Sequence, residues 1–408
     1  MYIHIPFCAS KCAYCDFYSR AGCEDKIPDY QKALLRHIRE CSPQLEGYLT
    51  DTVYFGGGTP SFYGADRIIA IFECLKKSGR VLRDSEVTME ANPDSVSYRD
   101  LVRLRKAGIN RLSIGAQCAD DGILKSIGRL HTFAQVEEAV KNARQAGFEN
   151  ISIDLIYGLP SQTREGWAET LNRAVNLKPE HLSCYGLKIE EGTPLYMFKD
   201  SPFIPDDDVQ ADMYLYTVDA LERFGYRQYE ISNFSRRGFQ SRHNLKYWRG
   251  QEYLGFGAAA HSYINSRRFS FISDISGYSR NIMENKPVIA TDEMISDSEK
   301  ADEYLMLGLR TTYGISEAEY YRIFPCKFDM LRELLQSYVK NGWMVKTEDR
   351  WSFTPQGFLI SNTLIGNILE TQTRQKTSIV SPWKEGQPGY QYTMFTKPEG
   401  DAQLFHGI

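Results

Sequence analysis

The sequence predicts an α/β fold: an open, partial (βα)6 barrel of the TIM type, followed by a mixed α/β extension and a small helical, winged domain. Two observations carry this. Six short β-rich stretches alternate with amphipathic helical stretches through the first half of the chain, and such alternation implies parallel strands joined by right-handed crossovers. Six units also fall short of the eight that close a TIM barrel, so the sheet is expected to stay open.

Taken in order, the strands are "YIHIPF" (2–7), "DTVYFGGG" (51–58), "EVTMEANP" (86–93), "RLSIGAQ" (111–117), "ISIDLIYG" (151–158) and "HLSCYGLKI" (181–189). Among the helices between them, "TFAQVEEAVKNARQAG" has Thr132 to cap its start, an apolar stripe of Val136, Ala139, Val140 and Ala143, and Gly147 to end it. These elements define a first region, 1–201. The proline-marked "PFIPDDD" then leads into a long helix, "DVQADMYLYTVDALERFG", and the strand-like "YRQYEIS". A second region, 202–290, is expected to complete the core. Residues 291–371 read as helices followed by "GWMVKTEDRWSFTPQGF", a small winged hairpin. Residues 372–408 show little periodicity and read as a mobile extension with no assigned role.

With 42% hydrophobic and 25% charged residues the chain can bury a large core. A net charge of −4 gives no broad attraction to nucleic acid or anionic lipid. The wing has mixed charge and no basic stripe, so it reads as a structural or interaction element. No apolar run is long enough to span a bilayer and no secretory signal stands at the N-terminus, which leads us to expect a cytoplasmic protein. Of the nine cysteines, six are scattered and read as ordinary buried thiols.

The other three, Cys8, Cys12 and Cys15, form C-x3-C-x2-C directly after the first strand. A structural zinc site wants four ligands, and no partner pair lies at the usual spacing downstream. A [4Fe–4S] cluster also takes four thiolates as a rule, so three leave one iron open to another ligand. Chemistry in such sheets sits at the C-terminal ends of the strands. The residues that stand out obey that rule: Cys8 follows the first strand, "GGGTP" ends the second, Glu90 and Gln117 end the third and fourth, and Asp154 lies on the fifth.

The spacing, the framing "YIHIPFC" and the partial barrel resemble the radical S-adenosylmethionine (SAM) superfamily. That resemblance implies a [4Fe–4S] cluster on the three cysteines, with SAM chelating the fourth iron. It further implies SAM contacts from Gly56, Gly57, Gly58 and Thr59, from Glu90 to the ribose, and from Gln117, Arg129 and Asp154. Tyr2, His4 and Tyr14 match the family's first strand and cysteine loop. A strand histidine such as His4 is nevertheless more often a satisfied core residue.

The resemblance covers roughly residues 1–370 and divides into two branches. Oxygen-independent coproporphyrinogen III dehydrogenases (HemN) have a substantial segment before their cysteines and a further cysteine two residues after the trio. Here seven residues precede Cys8, and Phe17 stands at the further place. The HemW-type haem chaperones are the better match. "HNLKYW" (243–248) fits their HNxxYW motif, which makes His243 the expected haem ligand, with Tyr247 and Trp248 as apolar faces. His261, in "GFGAAAHSY", is a second possible ligand or a structural histidine. The resemblance thus implies haem, an acceptor haemoprotein and a reductant for the cluster as partners. A homodimer is compatible with the sequence, which identifies no interface.

Overall fold

The computed structural model describes residues 1–324 and 328–379. Its main sheet contains the six expected strands, β1 (Tyr2–Ile5), β2 (Thr50–Gly57), β3 (Val81–Ala91), β4 (Arg111–Gln117), β5 (Ile151–Tyr157) and β6 (His181–Gly186), all parallel to their neighbours. Three short strands extend it. β8 (Asn233–Ser235) pairs antiparallel with β6 and carries β7 (Arg227–Gln228), while β9 (Gly255–Phe256) pairs parallel with the outer edge of β1. The order is β7-β8-β6-β5-β4-β3-β2-β1-β9, a sheet with two ends.

Three of the crossover helices are started by side chains that satisfy their free N–H groups. Thr132 and Gln135 form a reciprocal capping box before Phe133–Gln145, and Ser97 and Thr163 cap Tyr98–Ala107 and Arg164–Asn176. Each helix lays one apolar face on the sheet; Leu101, Val136 and Trp167 are fully buried there.

Residues 202–290 supply both edges of the sheet and share its core: Met213, Tyr226, Phe234 and Phe256 pack in one cluster with Ile3, Val53 and Ile153. "YRQYEIS" forms ladder pairs only at Arg227 and Gln228. It breaks off because Tyr229 turns its hydroxyl to His181 (2.7 Å), and the buried Glu230 accepts a backbone N–H from Ser232. A small antiparallel sheet follows, β10 (His261–Ile264), β11 (Arg267–Phe271) and β12 (Ile289–Met294).

A second core gathers Leu305, Ile315, Tyr320, Leu331, Trp351 and Ile368. It includes the expected winged hairpin, β14 (Met344–Thr347) and β15 (Arg350–Phe353), with β13 (Ile315–Ser316) on its edge. The extension expected from residue 372 starts within a helix, Ser361–Ile379, where the buried Gln372 bonds the Tyr320 hydroxyl. Residues 380–408 lie outside the described residues, as does Cys326; the other scattered cysteines, at 23, 41, 74, 118 and 184, are buried free thiols.

The helix Arg242–Trp248 is seated on the barrel by one buried carboxylate. Glu86 of β3 accepts the backbone N–H groups of Arg242 and His243, each at 3.0 Å, while Ser241 caps the same turn through Asn244. Hydrogen bonds to a charged acceptor contribute about 1.5–3 kcal/mol each. Glu86→Ala should therefore destabilise the protein by about 2 kcal/mol or more and raise amide exchange over 242–248 above that of the crossover helices, as read by urea unfolding and hydrogen exchange.

Candidate functional site

A cavity of about 340 Å³ opens at the C-terminal ends of the parallel strands. Its position follows from how closely β1 and β2 run together. Tyr2 pairs with Tyr54 and Ile5 with Gly57, and the register continues past the strands: Gly58 N–H donates to the Ile5 carbonyl and Thr59 N–H to that of Phe7, both at 2.8 Å. A Cβ on Gly58 would lie 2.8 Å from both carbonyl oxygens, and one on Gly57, whose φ is +113°, would meet the His4 ring. The glycines thus serve first to bring β2 and the cysteine loop together. Gly57 and Gly58 also line the cavity, whereas Gly56 does not.

The cysteine loop is held on several sides. Cys8 N–H donates to Arg20 O (3.0 Å), Ala13 N–H to Ile127 O (3.0 Å) and Leu195 N–H to Ala13 O (3.0 Å). All three thiols face the cavity, Cys8 buried and the other two half-buried. Thr59 donates its hydroxyl to Cys8 Sγ (3.4 Å) and Arg129 a guanidinium N–H to Cys12 Sγ (3.7 Å). Donors of this kind suit thiolates. Among the described residues no three His, Cys, Asp or Glu converge to hold a single ion. Burial raises the pKa of the Cys15 thiol, so ligation there must displace a proton.

Opposite the cysteines the walls are polar and charged. Glu90 accepts the Tyr54 hydroxyl (2.9 Å) and Gly57 N–H (3.1 Å), and burial pushes its pKa up to about 7 against these two bonds. Asp154 accepts the Ser113 hydroxyl at 2.8 Å and that of Ser152 at 3.1 Å. Gln117 ends β4 at φ +63°, a left-handed conformation sparsely used by non-glycine residues. Arg129 donates to Asn92 Oδ1 (2.9 Å) and to the Gly115 carbonyl (2.6 Å). Burial disfavours its charge, but Tyr14 and Cys12 outweigh this and keep its pKa above the ordinary value. The same holds for Arg111, where Glu86 leads the compensation.

Both arginines keep unpaired, buried N–H groups: Nε of Arg129, and Nε and Nη1 of Arg111. Unsatisfied buried cationic donors are costly. An anionic ligand such as an amino-acid carboxylate would satisfy them.

Of the residues expected from the sequence, the cavity thus gathers the three cysteines with Tyr14, Gly57, Gly58, Thr59, Glu90, Gln117, Arg129 and Asp154. Tyr54, Asn92, Arg111 and Tyr185 join them without having been singled out. Asn92 stands two residues after Glu90 in "MEANP" and could have been noticed; nothing local marks Arg111. Tyr2 lies elsewhere, in a second cleft, where its hydroxyl meets His4 Nδ1 at 3.0 Å.

His243 does not present a free ring nitrogen. It is 1% exposed, with Nδ1 on the Thr52 hydroxyl (2.9 Å) and Nε2 on that of Tyr247 (2.8 Å), and it stacks on Tyr54 at 5.1 Å. Burial, with the nearby N-terminal amine and Lys246, holds its pKa well below the ordinary histidine value. Both ring nitrogens of the residue expected to ligate haem are thus engaged within the protein. Its ring bolts the motif helix to β1 and β2. The next residue, Asn244, reaches the main cavity, and Tyr247 faces the second cleft.

The comparisons with known proteins agree with this geometry. The Radical SAM superfamily model matches residues 2–174 and the HemN C-terminal domain model residues 295–360. The chain is 34% identical over 372 residues to the heme chaperone HemW of Bacillus subtilis, covering 90% of this chain and 98% of that protein. It belongs to the HemW family of radical SAM proteins. A HemW relative from Escherichia coli is 32% identical over 368 residues, covering 90% of this chain and 96% of its own. Among solved structures, the coproporphyrinogen III oxidase HemN of Escherichia coli aligns with a TM-score of 0.79 over 90% of this chain and 89% of its own, at 23% identity, a likeness of fold. Radical SAM membership implies a [4Fe–4S] cluster and SAM, and the cavity's thiols, unpaired cations and Glu90 fit both.

The close approach of β1 and β2 is directly testable. Gly58→Ala forces a Cβ against two backbone oxygens and should cost about 1–3 kcal/mol, the range for overpacking. Urea denaturation of the cluster-free chain would measure that loss.

Proposed function

We propose that the chain is a haem chaperone, which binds haem and passes it to an acceptor haemoprotein. Cys8, Cys12 and Cys15 hold the [4Fe–4S] cluster, and SAM occupies the fourth iron. The observation that carries the reading is whole-length similarity to proteins named heme chaperone HemW, through both the barrel and the C-terminal domain. No helix among the described residues is long and apolar enough to cross a membrane.

In this reading each wall of the cavity binds one part of SAM. Arg129 and Arg111 offer their unpaired N–H groups to its carboxylate. Glu90 accepts the ribose hydroxyls, and the glycine strand leaves room beside the amino group. When bound, the reduced cluster supplies one electron to the sulfonium of SAM. A cavity lined by the three cysteines, Glu90 and two arginines also supports a second reading, a radical enzyme acting on a porphyrinogen. Incubating the reconstituted protein with SAM, a low-potential reductant and coproporphyrinogen III separates the two. The chaperone reading predicts no vinyl product and haem transfer to an apo-haemoprotein; vinyl product with stoichiometric 5′-deoxyadenosine would overturn it.

Two outcomes follow for the cofactors. Replacing any one of the three cysteines by Ala should remove the cluster, read as loss of bound iron and of visible absorption. For SAM the sign is set by Glu90. Its pKa of about 7 leaves the carboxyl largely protonated at pH 6, and a protonated carboxyl is a poorer acceptor for two hydroxyl donors. SAM affinity should therefore rise about tenfold from pH 6 to pH 8 and level off above. Equilibrium dialysis would measure it, with Glu90→Gln flattening the profile.

A further inference from the structure

We infer that the haem iron is ligated by His261, in the second cleft between the cysteine loop and the "HNLKYW" helix. The inference rests on the haem-chaperone reading and names the site within it.

The chain has seven histidines, of which His406 lies outside the described residues. His4, His37, His131, His181 and His243 are all buried. Each has at least one ring nitrogen engaged: His4 with Tyr2 and the Tyr18 carbonyl, His37 with Tyr278, His131 with the Ala116 carbonyl, His181 with Ser152 and Tyr229, and His243 with Thr52 and Tyr247. His261 alone among the described histidines is exposed, and no hydrogen bond holds its ring. An axial ligand must offer an uncommitted nitrogen lone pair to an iron that can reach it. Among the described histidines only this ring does so.

Its surroundings suit a flat apolar macrocycle. The cleft holds about 370 Å³ and is open to solvent, with Tyr2, Phe17, Tyr18, Tyr247 and Tyr253 around it. Tyr247 and Tyr253 meet edge to face at 4.7 Å, presenting one fixed corner. Phe17, at the place where the dehydrogenase branch carries its further cysteine, is 71% exposed beside the cleft. Its phenyl ring offers an apolar face that a macrocycle in the cleft would cover, removing that area from water. The exposed Arg20 lies with its guanidinium 5.8 Å from the centre of the ring of Tyr18, which lines the cleft, and supplies a cation for a propionate.

The backbone that carries His261 is fixed. A Cβ on Gly257, whose φ is +108°, would lie 2.7 Å from the His4 carbonyl oxygen, so the "GFGAAAH" turn is pressed against β1. Ala259 sits at φ +62° in the same turn, a strained conformation for alanine. His261 then starts β10, paired with Ser270. The motif helix contributes Tyr247 to this cleft and fixes its position through His243, which accounts for a haem-associated motif whose own imidazole is sealed. An open site with one ligand supplied by the protein also suits a carrier that must release its cargo.

The test is an anaerobic titration of the cluster-reconstituted full chain with haem, following the Soret band. Wild type, His261→Ala, His243→Ala and Phe17→Ser would be compared, with the thermal midpoint of each as a check on folding. Wild type should bind one haem per chain. His261→Ala should bind at least tenfold more weakly with a displaced Soret band, restored by added imidazole. Phe17→Ser should weaken binding several-fold at an unchanged band position. His243→Ala should lower the thermal midpoint and leave the band position of bound haem unchanged. If His261→Ala binds haem with wild-type affinity and spectrum, the ligand assignment is overturned while the chaperone reading stands. Absence of any Soret shift in wild type would overturn both.

Discussion

The site depends on the contact between β1 and β2. Parallel strands lie close enough to share a ladder, but here the contact continues beyond the strands, through Gly58 and Thr59 to Ile5 and Phe7. That extension sets Cys8 against Thr59 at the mouth of the sheet and turns Gly57 N–H toward Glu90. A side chain at 58 would press on the backbone oxygens of Ile5 and Phe7, and one at 57 on the His4 ring. The glycine run is therefore a demand of the scaffold before it is a feature of ligand binding. The outer edge of β1 is covered in turn by β9, whose following turn delivers His261. One strand of four residues thus organises the cysteine loop on one side and the second cleft on the other.

Charge is arranged around that strand with some economy. Arg111 of the cavity wall and Glu86 on the neighbouring strand are both buried, and Glu86 also receives the first N–H groups of the motif helix. Arg111 and Arg129 stay charged because anionic or polar neighbours outweigh their burial, yet neither is fully satisfied. A pocket built this way holds its cationic donors ready for an anion. Helix 242–248 then stands between two cavities, with Asn244 in one and Tyr247 in the other.

Much of this was legible in the sequence because the signals were local. Alternation of strand and helix gave the parallel sheet, Thr132 gave a helix start, and the rule that chemistry gathers at strand ends placed Glu90, Gln117 and Asp154 with the cysteines. Legibility failed where partners are remote. The edge strands β7 and β9 have two residues each, too few for any period to show. Arg111 reads as an ordinary strand start, and its importance comes from Glu86 on the neighbouring strand. Most instructive is His243. Its motif marks it as a ligand, but Thr52, which closes one side of its ring, lies 191 residues away in the chain. His261 could be named from the sequence only as an alternative, since exposure is a property of the folded chain.

The central claim is that three thiolates leave one iron open toward the cavity. Low-temperature electron paramagnetic resonance of the reduced, reconstituted protein, recorded with and without SAM, tests it most directly. The account predicts a cluster signal whose g-values shift when SAM is added. A cluster spectrum that SAM leaves unchanged at saturating concentration would mean that the fourth iron is closed, and would contradict it.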